Sequence, residues 1–180
     1  MKNRNIIISL ALLGSLVAGA AQAEGKIYVG GKLGLMDPNF TGAGFDNAYV
    51  GGVYGGYNLL GKDAHFAADL KGGTLAVEGD VLLSLTKGKT ATAGKWDITN
   101  VSAYAAYRHP ITDYFYLKGK LGLARYDINT TFASRYQGTD TKLAAGIGAG
   151  WKVGPGRIEA ELTTYESDIL LLSAGFLMSF

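Results

Sequence analysis

Along the final stretch ILLLSAGFLMSF, every second residue back from the end is apolar: Phe180, Met178, Phe176, Ala174, Leu172, Leu170. The intervening set, Ser179, Leu177, Gly175, Ser173, Leu171 and Ile169, is smaller and partly polar. A period of two means a strand with two unlike faces. Similar alternation recurs through the chain and marks eight segments: 26–36, 48–58, 75–86, 96–108, 114–126, 141–153, 157–165 and 169–180. In the first, Ile27, Val29, Leu33 and Leu35 oppose Tyr28, Lys32 and several glycines. In the third, Val77, Val81, Leu83 and Leu85 oppose Glu78, Asp80 and Ser84. In the fifth, Phe115, Leu117, Leu121 and Leu123 oppose Tyr116, Lys118 and Lys120. The second segment has aromatic or branched residues at both parities (Tyr49, Val53 and Tyr57 against Val50 and Tyr54), so its facing stays open.

The connections sort the segments further. Residues 37–47, 87–95 and 128–137 read as long polar loops, whereas 108–113 and 153–156 read as short turns. Alternating long loops and short turns is the habit of outer-membrane barrels, with the turns in the periplasm. The 59–74 connection, which holds His65 and Gly72-Gly73, breaks that rule, as does the short link before the last strand. Tyr57, Tyr107, Phe115, Trp151 and Phe180 lie on apolar faces beside the expected turns or the C-terminus. Aromatic rings prefer the headgroup level, so this row predicts a membrane-interface girdle. The expected fold is therefore an all-β, eight-stranded, antiparallel up-and-down transmembrane barrel. Its lipid-facing strands need no covering layer, because closure leaves no edge unpaired. The alternative is a soluble β-sandwich with a half-buried edge strand.

The N-terminus favours the membrane. Lys2 and Arg4 precede an apolar run from Ile6 to Ala20, and Ala21-Gln22-Ala23 reads as a cleavage site. That predicts an export signal over residues 1–23 and a barrel domain over 24–180. Without Lys2 and Arg4 the chain has 15 basic and 15 acidic residues, and no basic run points to nucleic acid. There are no cysteines and two histidines, so neither disulfides nor a transition-metal site is expected, and no cofactor. The 27 glycines against 3 prolines disfavour helices without excluding strands.

The chemistry-bearing residues lie opposite the apolar faces: Lys32, Glu78, Asp80, Lys118, Lys120, Lys142, Glu159 and Glu161. Four acids and four bases inside a narrow barrel must pair or stay wet. Lys142 is expected to bridge to Glu159 or Glu161 on the next strand, and Glu78 and Asp80 to reach Lys118 or Lys120 across the lumen. The set is read first as a packed polar plug, and second as a gate in which exchanging ion pairs open a narrow pore. Gly146, Gly148 and Gly150 superficially suggest a phosphate loop, but no helix follows, and close packing within a strand explains them better. Neither histidine has a nucleophile at a suggestive spacing.

The opening YVGGKLGL (Tyr28–Leu35), the central AYAAYRHPITDYFYLKGKLGLARYDI (Ala103–Ile128) and the terminal Phe180 together resemble small bacterial outer-membrane β-barrels. This family takes in the transmembrane domain of outer membrane protein A, the opacity-type surface antigens and the outer membrane protein X and attachment-invasion group. The resemblance implies residence in the bacterial outer membrane, contact with lipid and lipopolysaccharide, and a monomer. It implies roles as anchor, adhesin, surface antigen or occasional narrow pore. It also implies that Phe176, Met178 and Phe180 serve as the signal for the barrel-assembly machinery, with Met178 where an aromatic is usual. Lipid A-modifying barrel enzymes share this size, but their His-x-Ser arrangement is not found. A structural or surface-interaction protein without enzymatic activity is thus expected, ahead of a gated pore and a lipid-modifying enzyme.

Overall fold

The computed structural model describes residues 27–38, 46–60, 72–89, 94–130, 138–165 and 169–180. The expected export signal, His65 and most of the 59–74 connection lie outside the described residues. Every element within them is a strand: β1 (Ile27–Pro38), β2 (Ala48–Leu60), β3 (Thr74–Ser84), β4 (Gly88–Lys89), β5 (Lys95–Pro110), β6 (Phe115–Thr130), β7 (Gly138–Val153), β8 (Gly156–Tyr165) and β9 (Ile169–Ser179). Neighbours pair antiparallel in the order β3-β2-β1-β9-β8-β7-β6-β5-β4, and a further β3–β5 pairing closes the ring. The wall is therefore eight strands, as the alternation predicts, and β4 is a short addition. The Phe180 amide donates to the Ile27 carbonyl at 2.8 Å, completing the seam between first and last strands.

The register fixes the barrel's shape. Directly opposed residues run from Tyr28 through Gly56, Glu78, Tyr104, Gly122, Ala144, Tyr165 and Ile169 to Pro38. One circuit thus returns to β1 ten residues further along (38 − 28 = 10). A stagger of this kind tilts the strands by roughly 35–45° from the barrel axis.

Side-chain parity follows the sequence pattern. Leu33, Val53, Val77, Val101, Leu121, Leu143, Ile147 and Leu172 are exposed, whereas Tyr28, Tyr54, Leu82, Tyr104 and Leu171 are buried. The facing of β2 is now fixed: Ala48, Val50 and Tyr54 turn inward, and Tyr49, Val53 and Tyr57 turn outward. An outward apolar face on a closed wall is what the expected contact with lipid rather than water requires.

The structure corrects several boundaries. The stretch expected as a loop at 87–95 contains β4, which pairs Gly88 with Trp96 and Lys89 with Lys95. Two residues carry no readable period, which hid it. Strand character also extends past the expected ends, to Pro38 in β1 and Thr130 in β6, and β7 begins at Gly138. Polar side chains there mark a sheet continuing beyond the apolar band. β3 stops at Ser84, short of Thr86, because the Leu85 and Thr86 amides both donate to the Tyr49 carbonyl. Leu59 and Leu60 finish β2 after a register shift at Asn58, and Thr74 opens β3.

Candidate functional site in the barrel lumen

The interior is layered. On the turn side Tyr28, Tyr54, Ala76 and Leu177 form a small apolar cluster. On the loop side a larger one gathers Met36, Val50, Leu82, Trp96, Ile98, Tyr104, Tyr126, Ile128, Tyr165, Ile169 and Leu171 with three alanines. Between them lies a belt of charge: Lys32, Glu78, Asp80, Arg108, Lys118, Lys120, Glu159 and Glu161, all buried. The interior is thus charged at the belt, while the loop-side half is a hydrophobic core inside the wall.

Lys118 is the hub. Its Nζ donates to both Glu78 oxygens at 2.8 Å, to Glu159 Oε2 at 2.9 Å, and to Glu161 Oε1. Arg108 uses its fork: Nη2 donates to Glu78 Oε2 at 2.8 Å and Nε to Glu159 Oε1 at 2.9 Å. Its third donor, Nη1, reaches the Tyr28 hydroxyl at 3.1 Å. That hydroxyl donates in turn to Glu78 Oε2 at 2.9 Å, and the Tyr116 hydroxyl donates to Glu159 Oε1 at 2.6 Å. Glu161 Oε2 accepts from Lys32 and Lys120, each at 2.8 Å. Asp80 sits at the edge of the belt, 3.7 Å from Lys32 Nζ and accepting from Asn100 Nδ2 at 3.3 Å. Lys32, Arg108 and Lys120 also lie over the rings of Tyr54, Tyr28 and Tyr104 at 4.4–4.5 Å.

Four cations face four anions, so the belt is neutral (4 − 4 = 0). Isolated charges in such a place would each cost several kcal/mol, and neutral pairing with shared hydrogen bonds offsets that cost. Glycines make the room. A Cβ at Gly150 would overlap the Tyr116 ring, and one at Gly146 or Gly148 would press on Lys120 or Glu161. The Gly146, Gly148, Gly150 series is therefore a set of seats for large inward side chains, in keeping with the packing expectation.

Seven of the eight sequence-predicted charges converge in this belt. Lys142 does not. Its side chain is partly exposed, and the ion pair described for it is with Asp140 at 3.5 Å. The β7–β8 register sets Gly148 opposite Glu161 and Gly150 opposite Glu159. Lys142 is six residues above Gly148, roughly 20 Å along the strand. Parity placed it on the inward face but carried no information on height. Arg108 takes its place as the fourth cation. It shares parity with Asn100, Ser102 and Tyr104, but proximity to His109-Pro110 made it look like part of the turn.

Outside, Tyr57, Trp151 and Phe180 are exposed, and Phe115 stacks obliquely on Trp151 at 5.9 Å. Tyr107 is half-buried beside His109, its hydroxyl 3.3 Å from Nδ1. Phe176 and Met178 also point outward. Tyr49, at the loop side, is exposed too.

The family model for the outer membrane protein β-barrel domain matches residues 7–165. The fold is similar to the crystal structure of the outer membrane protein OprG from Pseudomonas aeruginosa. That likeness has 11% identity and a TM-score of 0.55, covering 87% of this chain and 98% of that one. It is also similar to the solution structure of the de novo designed barrel TMB2.3, at 14% identity and a TM-score of 0.52, covering 89% and 98%. Neisserial surface protein A is similar at 15% identity and a TM-score of 0.50, covering 86% and 96%. Identities this low speak to the fold alone. No curated protein matches the sequence.

Proposed function

The chain belongs to the outer membrane protein β-barrel domain family and resides in the bacterial outer membrane, and from that premise we propose that it is a sealed barrel. Its role is structural or surface-interacting, without enzymatic activity. The observation that carries this reading is the filled lumen, a neutral belt of eight buried charges closed by apolar clusters on both sides. A path for water or solute would have to break several charge-assisted hydrogen bonds at once. In this reading residues 1–23 are the export signal, and the barrel-assembly machinery reads Phe176, Met178 and Phe180. Tyr57, Tyr107, Phe115, Trp151 and Phe180 ring the periplasmic interface, and the loop side meets lipopolysaccharide. The barrel acts as a monomer.

Purified protein in planar bilayers tests the seal. The expected record is the bilayer baseline, with no stable steps. Steady conductance steps would overturn the seal and turn to the second reading, a narrow gated pore. That reading draws on one feature: Lys118 is shared by three carboxylates and Lys32 by two, so exchange partners are already within reach. For a gate, Glu159→Ala would change conductance; for a plug, it would chiefly lower stability. Turnover of outer-membrane lipid by the purified protein would overturn the non-enzymatic reading.

A further inference from the structure

At the turn-side mouth of the lumen two cations stand face to face. The β7–β8 register sets Gly150 opposite Glu159, Trp151 opposite Ile158, Lys152 opposite Arg157 and Val153 opposite Gly156. Gly154 and Pro155 make the turn, and Gly154 takes a φ of 58°, which glycine adopts without strain. So tight a link fixes the register and holds Lys152 and Arg157 as a direct cross-strand pair, about 5 Å apart at Cβ. The Lys152 amide also donates to the Tyr114 carbonyl at 2.8 Å, tying the hairpin to the start of β6. Trp151 and Ile158 face outward and are exposed. By alternation Lys152 and Arg157 turn to the lumen side, in line with Gly150 and Glu159. Lys152 is exposed there and Arg157 half-buried.

Like charges directly opposed in a sheet repel. Neither side chain makes an ion pair among the described residues. Glu159, two residues along from Arg157 on the same face, is already taken. Arg108 and Tyr116 donate to its Oε1 and Lys118 to its Oε2. Asp113, in the β5–β6 turn, lies beyond ion-pair distance of both cations. The belt balances its own charges without this pair, so Lys152 and Arg157 are a surplus of positive charge at the mouth.

We propose that Lys152 and Arg157 form a binding site for a dianionic phosphate, free or as a phosphate monoester, reached from the turn side. A guanidinium fork grips two oxygens of such a group, and the ammonium adds a point charge beside it. A phosphate monoester carries about −1.5 to −2 at neutral pH, which matches two cations. A carboxylate or a phosphodiester is singly charged and leaves part of the surplus unmatched. The lumen-side facing also sets the pair apart from the phosphodiester headgroups around the outer wall. The turn side is the periplasmic side in such barrels, so the ligand is one of that compartment. The site rests on the β7–β8 hairpin and holds whether the lumen is sealed or gated.

The test is solution NMR of the purified protein in an uncharged maltoside detergent at neutral pH, following the Arg157 Nε–H signal. Inorganic phosphate should shift it saturably, with a Kd of roughly 1 mM for so exposed a pair, weakening as salt is added. Glycerol 3-phosphate, a monoester, should do the same, and dimethyl phosphate, a diester, should bind several-fold more weakly. Lys152→Gln should weaken phosphate binding roughly fivefold, whereas Lys89→Gln, at an exposed loop-side cation, should leave it unchanged. Phosphate should also raise the urea midpoint of the wild type and not that of Arg157→Gln. Without phosphate, both hairpin variants should be at least as stable as the wild type, because one of two repelling charges is gone. That readout separates lost binding from lost folding. No saturable shift on the wild type, equal affinity for dimethyl phosphate, or equal stabilisation of Arg157→Gln by phosphate would each overturn the proposal.

Discussion

At the scale of single residues, the charge belt ranks its members by how many partners each would strand. Lys118 touches three carboxylates and Lys120 one. Lys118→Met should therefore destabilise the barrel by about 3–5 kcal/mol, since it leaves buried anions short of a counter-charge. Lys120→Met should cost clearly less, because Glu161 keeps Lys32 and Lys118. Urea unfolding of protein reconstituted in vesicles measures both, and equal losses would sink the hub assignment. Lys142→Ala should change stability by less than about 0.5 kcal/mol, as partly exposed pairs usually do. Gly150→Ala should be costlier than its size suggests, roughly 1–3 kcal/mol, because the new methyl enters the space of the Tyr116 ring. A folded fraction equal to wild type for Gly150→Ala would show that the ring can swing aside.

At the scale of elements, the period of two was readable wherever one parity was mostly large and apolar while the other was small, polar or mixed. β1, β3, β6 and β9 met that condition, and their inward and outward faces follow the sequence pattern. β2 did not, because glycine and tyrosine stand at both parities, and only its pairing with β1 and β3 settles which face looks in. Membership of the charge belt was legible by the same rule for seven residues. It failed for Lys142 and Arg108 because height depends on stagger, a property of all eight strands that no single strand encodes. The loop-side hydrophobic core escaped notice for a related reason. Met36, Val50, Leu82, Ile98, Ile128 and Leu171 come from different strands and meet only when the ring closes. The lipid-facing parity makes its own prediction. Leu33→Arg, near the middle of β1, should cost about 2–4 kcal/mol in a bilayer, read as a lowered urea midpoint in vesicles, whereas an arginine at exposed Lys89 should cost little.

At the scale of the whole molecule, each strand of the wall has a neighbour on both edges only in the closed ring, so unfolding should be all-or-none. Unheated protein in detergent should migrate differently from boiled protein, and the wild type should lose that difference in a single step on heating. A gradual loss would mean that part of the wall opens alone. The seam between β1 and β9 is hydrogen-bonded along its length like any other pair. Lys32 on β1 also ties across it to Glu161 on β8. The ring therefore has no geometric beginning. A circular permutant, its old ends joined by a short turn after Phe180 and reopened between Val153 and Gly156, should refold in detergent to the same cylinder. In cells the same permutant would carry the proposed assembly signal, Phe176, Met178 and Phe180, in mid-chain, so the two settings would separate the shape the residues prefer from the address proposed for its delivery.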